Sequence, residues 1–222
     1  MRKFIDLHLH LDGSVPVATV KKLMREHDIP IPTDQELRQE LSVDSSCKSL
    51  EQFLEKFALP NKLMQTRHDL ETIVYDLLTE LKEQGWVYAE IRFAPQLHTK
   101  KGLTQEDAIK AAIAGLNKFL ADQKEEQNLP ELHAGLILCL MRFADNQKEN
   151  METVKLAKKF LGKGVVGIDL AGAEGPIPNI KYKSFFDEAQ KLGVPYTIHA
   201  GEADGPDSIR QALAMGAKRI GH

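Results

Sequence analysis

Phe4-Ile5-Asp6-Leu7-His8-Leu9-His10-Leu11-Asp12-Gly13 is the stretch whose reading decides the fold. Apolar and polar residues alternate through it, the period-two pattern of a half-buried strand. On such a strand His8 and His10 share a side, about 7 Å apart along the chain axis. Asp12 continues that side as Gly13 ends the strand. Two imidazoles and a carboxylate at the end of an apolar strand are costly to bury unless they bind something. A pair of satisfied core histidines is the plain alternative. The H-x-H-x-D run on one strand face favours a metal or ligand site.

Outward from this strand, the chain of 222 residues can bury one substantial core. Hydrophobic residues make up 42% and charged residues 27%, and the net charge is -3. That balance gives no case for binding nucleic acid or an anionic membrane. The two cysteines, Cys47 and Cys139, form no C-x-x-C pair, so a reducing, cytoplasmic setting is expected. No apolar run approaches about 18 residues, so no membrane span is expected.

The remainder alternates strand with helix. Helices are expected over Val15–His27, Asp69–Gln84 (ended by Gly85), from the Thr104/Asp107 capping box onward, and near Met151–Leu161, Lys183–Leu192 and Asp207–Met215. Strands are expected at Trp86–Ala94, Leu132–Met141, Val165–Leu170, Val194–His199 and from Arg219. Residues 33–49 are polar and poorly periodic. Leu50, Phe53, Leu54 and Phe57 make an i, i+3, i+4, i+7 stripe, read first as core contact and second as a lid over a pocket. Glu90 and Arg92 share a strand face as an ion pair. His98 reads as solvated and His133 as structural. The charged run Gln123–Gln127 reads as a solvated helix end.

Alternation of this kind implies a parallel sheet with right-handed crossovers. The polar exceptions fall at strand C-terminal ends: His8, His10 and Asp12; Gly172; His199 and Glu202; His222. A (β/α)8 barrel of the TIM type builds its active site this way. The fold class expected is therefore that barrel, incomplete, with about six of eight strand–helix units. It forms one partial barrel domain over 1–222, with an insertion carrying apolar lid helices at about 28–66. His8, His10 and His199 can offer three nitrogens to a zinc that keeps a position for water. Glu202 can exchange a proton beside that water, and His222 can orient or deprotonate it.

His-Leu-His-Leu-Asp-Gly-Ser at 8–14, Ile-Asp-Leu-Ala-Gly at 168–172, His-Ala-Gly-Glu at 199–202 and Arg-Ile-Gly-His at 219–222 resemble, in order, the motif series of adenosine deaminases. That family sits within the metal-dependent amidohydrolases. Gly85–Pro95 resembles its second strand. The resemblance implies zinc, one per site, on His8, His10 and His199. It implies Glu202 as the acid that protonates purine N1, with a raised pKa, and His222 as the group that activates the attacking hydroxide. It also implies the Gly172 backbone at purine N3, Asp12 at the ribose 5′-hydroxyl and Phe53/Phe57 as a hydrophobic gate. The substrate implied is a small purine nucleoside, adenosine or 2′-deoxyadenosine, converted to inosine and ammonia. Related adenine deaminases tend to carry Glu where this chain has Asp12, so a nucleoside is favoured over a free base. The H-x-E with P-C-x-x-C pattern of the unrelated cytidine-deaminase-type site is absent.

Two departures bear on activity. Position 173 is Ala where the family often has Asp. The aspartate expected as fourth zinc ligand, near the end of strand eight, is not among these residues. The open barrel edges would need a cover: a C-terminal segment, or self-association. The competing reading from another class is a non-catalytic truncated fragment that binds metal or nucleoside weakly. Within enzymes, the alternative is deamination of adenine or another 6-aminopurine.

Overall fold

The computed structural model describes residues 3–125 and 130–222, so the last part of the Gln123–Gln127 run lies outside the described residues. Two compact units divide the chain. One holds the residues up to Ile91 together with Leu97–Ala134. The other holds Arg92–Gln96 and Gly135–His222. Six strands are described, and the strand order is β1-β2-β3-β4 in one sheet and β5-β6 in a second. The fold is an α/β barrel of the TIM type, incomplete, as the alternation predicts.

In the first unit, β1 (Phe4–His10) is followed by four helices before α5. Helix α1 (Val17–Glu26) buries Val20, Leu23 and Met24, the expected apolar stripe. Two polar bonds tie α1 to α5 (Arg67–Glu83): Thr19 Oγ1 donates to Asp76 at 2.8 Å, and His27 Nε2 stands 2.8 Å from Asp69 Oδ1. Helix α2 (Asp34–Leu41) lies in the segment that reads as aperiodic. A reciprocal capping box of Thr33 and Glu36 starts it, although only Leu37 is buried. Helix α3 (Leu50–Glu55) buries none of its residues, which overturns the core reading of its apolar stripe. Helix α4 (Ala58–Leu63) buries Leu59, Pro60 and Leu63.

Helix α5 begins with a Thr66/Asp69 capping box, and α6 (Gln105–Asp122) with the expected Thr104/Asp107 box. The two helices approach closely at Gly115, where a Cβ would stand 2.4 Å from the Glu71 carbonyl oxygen. Only glycine fits there without a shift. Strand β2 (Trp86–Phe93) is buried from Ala89 onward.

The second unit carries β3 (His133–Met141) from Gly135 and β4 (Val165–Ala171), paired in parallel from Ile137↔Gly167 to Met141↔Ala171. Both are apolar and almost wholly buried, as strands covered on two faces are. Helices α7 (Gln147–Phe160) and α8 (Lys183–Leu192) follow in turn. The left-handed Gly193, φ 66°, ends α8. Strand β5 is shorter than its apolar run predicts: only Ile198 and His199 join the β5–β6 ladder. Pro195 has no N–H to donate. Its carbonyl accepts from Ile168 N instead, and Thr197 N donates to the Ile168 carbonyl, both at 3.0 Å. Helix α9 (Gly205–Ala214) leads to β6 (Ile220–Gly221).

Among the described residues, no helix is long and apolar enough to cross a membrane.

Candidate active site

Within the first unit, strand alternation brings the His8 and His10 rings to one side of β1. Their Nε2 atoms are 3.3 Å apart and the ring centroids 5.2 Å. Two nitrogens each about 2.0–2.1 Å from one tetrahedral zinc would be separated by roughly 3.3 Å. The pair therefore fits a shared metal ion. Both residues are half-buried.

Asp12 follows at the strand end. Asn61 on α4 donates from Nδ2 to Asp12 Oδ2 at 3.1 Å and to the Phe57 carbonyl at 3.0 Å. Burial raises the Asp12 pKa to about 6, against the opposing pull of the Asn61 amide and the local backbone. Gln65 locks the end of α4 through bonds to the carbonyls of Asn61, at 2.6 Å, and Leu97, at 2.9 Å. Above the strand, the Phe57 ring centroid is 6.1 Å from that of His10, and Phe53 meets Phe57 edge-on at 5.2 Å. Phe53 is 39% exposed, so its ring is not part of the core.

His98, expected in solvent, is instead 1% exposed. Burial lowers its pKa to about 4, with a hydrogen bond to the Met64 backbone pulling the other way. Burial in the folded chain overrides the polar look of its own loop.

Within the second unit, His199 ends β5 and is buried. Its Nδ1 stands 2.7 Å from Asp169 Oδ2. A carboxylate beside one ring nitrogen is the arrangement common around metal-bound histidine. Arg92 Nη1 reaches the same Asp169 oxygen at 2.5 Å, so the carboxylate carries a buried counter-charge. His222 Nε2 lies 3.6 Å from Glu202 Oε1, and its ring centroid is 5.2 Å from that of His199. Burial and His199 lower the His222 pKa, while Glu202 raises it, with a net downward shift.

Three residues around these were not singled out by the sequence. Arg142, at the end of β3, is 5% exposed. It donates to the carbonyls of Gly172, at 3.1 Å, and His199, at 2.7 Å, and to Asn179 Oδ1 at 2.7 Å. Gly172, the expected purine contact, has φ 97°, and a Cβ there would stand 3.3 Å from Arg142 N. Asn179 Nδ2 donates in turn to Ser208 Oγ at 2.8 Å. Glu174 accepts from Ser208 and from the backbone that follows His199. The sequence marks Arg142 only as a charged residue directly after an apolar run, which does not reveal its burial.

The family model for adenosine deaminase matches residues 4–222. An adenosine deaminase of Haemophilus ducreyi is 49% identical over 223 residues, covering 98% of this chain and 63% of the relative. A solved Arabidopsis structure, ADAL complexed with IMP, is 25% identical with a TM-score of 0.80, covering 98% of this chain and 64% of that one. The adenine deaminase AAur1117 of Arthrobacter aurescens is 26% identical with a TM-score of 0.78, with the same coverages. The chain thus spans under two thirds of the length of the relatives it matches.

Proposed function

The chain belongs to the adenosine deaminase family, and from that premise we propose that the native protein hydrolyses the C6 amino group of adenosine, or 2′-deoxyadenosine, to give inosine and ammonia. Zinc would be held by His8, His10 and His199 through imidazole nitrogens. The 3.3 Å spacing of the first two supports this, as does the Nδ1–Asp169 contact of the third. The metal supplies Lewis acidity that lowers the pKa of a bound water toward about 7.

The remaining chemistry is assigned to this chain's own side chains. Glu202 donates a proton to purine N1, which makes C6 electrophilic. His222 Nε2 accepts one proton of the attacking water as its oxygen bonds to C6, then passes that proton to the amino group. The C6–N bond breaks, ammonia departs, and Glu202 takes back the proton of the new C6 hydroxyl to leave the carbonyl. Gly172 faces purine N3, and Asp12 accepts the ribose 5′-hydroxyl or shares its proton. Phe53 and Phe57 close over the base and exclude water. The observation that carries the reading is the 3.6 Å approach of His222 Nε2 to Glu202 Oε1 beside His199. An acid and a base thereby approach each other, the base beside the ring of one proposed ligand histidine.

Adenosine turnover by the native protein tests this directly, followed by the change in ultraviolet absorbance. Glu202→Gln is expected to lower the rate at least about 100-fold; a near-normal rate sinks the acid assignment. The adenine reading has support from the Arthrobacter relative's name. Asp12, held by Asn61, supports the nucleoside instead, and adenine turned over faster than adenosine would overturn that. The 222-residue chain alone, given zinc, is expected to turn over almost no adenosine, because three neutral imidazoles leave the charge of the ion uncompensated. Robust turnover by that chain would refute the expectation.

A further inference from the structure

Glu174 takes no part in the chemistry above, yet it is one of the most heavily bonded side chains in the second unit. It follows the Gly172 turn after β4 and is 4% exposed. Its Oε1 accepts from Gly201 N at 2.8 Å and from the Ser208 hydroxyl. Its Oε2 accepts from Ala203 N at 2.6 Å and Asp204 N at 3.1 Å. Three backbone N–H groups therefore converge on one carboxylate, and they lie on both sides of Glu202.

The local backbone is built for that convergence. Gly201 (φ 94°) and Gly205 (φ 68°) take left-handed conformations that curl the loop. A Cβ on Gly201 would stand 2.7 Å from Ile209 Cδ1, so the loop is also pressed onto α9. Helix α9 has no side-chain cap of its own at Asp204, and the distant Glu174 supplies the acceptor instead. Burial alone would raise the Glu174 pKa. The Ala203 amide, the Ser208 hydroxyl and the Gly201 and Asp204 amides outweigh it and bring it to about 2. Glu174 thus stays ionised wherever the protein works, and it is a fixed anion rather than a proton carrier.

A mere helix cap would need only the Asp204 bond. Bonds at Gly201 and Ala203 bracket Glu202 and do nothing for α9 beyond its cap. We propose that Glu174 is the positioning residue for Glu202: by gathering the N–H groups on both sides, it sets where the Glu202 carboxyl stands against His222 and the purine. This rests on the role proposed above for Glu202.

The test uses the 222-residue chain and the native protein in parallel. In the chain, Glu174→Gln is expected to speed amide exchange at Ala203 and Asp204 at least about tenfold and to move the Glu202 carboxyl and His222 ring NMR signals. In the native protein, the same variant is expected to lower kcat for adenosine about 100-fold while KM changes less than about threefold, the signature of a misaimed catalytic group. Glu174→Asp, too short to reach, does not rescue. Should Glu174→Gln fail to fold, Ser208→Ala removes one of the bonds and leaves the backbone donors. It is expected to move the same signals by less. Faster exchange with unmoved Glu202 and His222 signals, or with kcat within about threefold of the parent, reduces Glu174 to a cap and overturns the proposal. If the native protein deaminates no adenosine, the functional reading fails by itself. The Glu202 and His222 signals then still decide whether Glu174 positions Glu202.

Discussion

Asp169 Oδ2 stands 2.7 Å from His199 Nδ1, and the same oxygen takes the Arg92 guanidinium at 2.5 Å. The carboxylate thereby stands between the imidazole and a buried arginine. Asp169→Asn keeps the shape but can present its amide N–H to the imidazole. It is expected to weaken zinc binding about 10–100-fold, the usual effect of losing such a partner. Competition with a chromogenic chelator measures this, on protein whose circular dichroism matches the parent. Unchanged zinc affinity would mean that His199 is oriented by its own packing and by its carbonyl bond to Arg142, not by Asp169.

Asn61 bears on Asp12 in a comparable way, through its 3.1 Å bond. Asn61→Leu removes a donor to a carboxylate that burial already disfavours as an anion. A hydrogen bond to a charged group is worth about 1.5–3 kcal/mol. The expected result in the native protein is a KM for adenosine raised roughly tenfold or more, with adenine, which has no ribose, unaffected. Equal losses for nucleoside and base would show that Asp12 does not read the sugar.

How much of this was legible in the sequence depends on how locally each feature is encoded. The His8/His10 pair and the apolar β3 and β4 are periodic patterns within a few residues, and they stand where expected. The Thr104/Asp107 box likewise opens α6. Helix α2 went unread because Leu37 is its only buried residue, although Thr33-x-x-Glu36 carried the capping signal. The stripe of α3 kept its helical period but not its burial, since periodicity tells which face is apolar and not whether anything covers it. Arg142, Asn179 and Glu174 have no local pattern. Their partners lie 27 to 57 residues away, and only the folded chain brings them together.

His98 makes a pH prediction possible. Its pKa is about 4 in the fold, against 6.5 for a free histidine. As pH falls through 6.5 the unfolded chain binds a proton at this site and the folded chain does not, so stability falls with falling pH. The loss is complete near pH 4, where the folded form also titrates, and amounts to at most about 3 kcal/mol. Urea unfolding of the chain between pH 7 and pH 4 (approximate limits of that window) should show this slope. His98→Gln should remove His98's share of it. Parallel curves for parent and variant would place the acid sensitivity elsewhere.

Gly115 tests the packing that holds the first unit together. Alanine has a higher helix propensity than glycine by about 1 kcal/mol, so Gly115→Ala in the middle of α6 would stabilise an isolated helix. Here the added Cβ meets the Glu71 carbonyl oxygen at 2.4 Å and Val74 Cβ at 3.1 Å. The first of these is backbone of α5 and cannot swing aside, so the two helices must separate along their contact. Overpacking of this kind costs about 1–3 kcal/mol, which cancels or exceeds the propensity gain. A net loss of up to about 2 kcal/mol is expected, read as a lower urea midpoint with an unchanged m-value. Gly115→Ser, whose Cβ meets the same oxygen, should behave alike. A midpoint raised by Gly115→Ala would show that α5 and α6 can part without loss, and that the glycine is not what sets their separation.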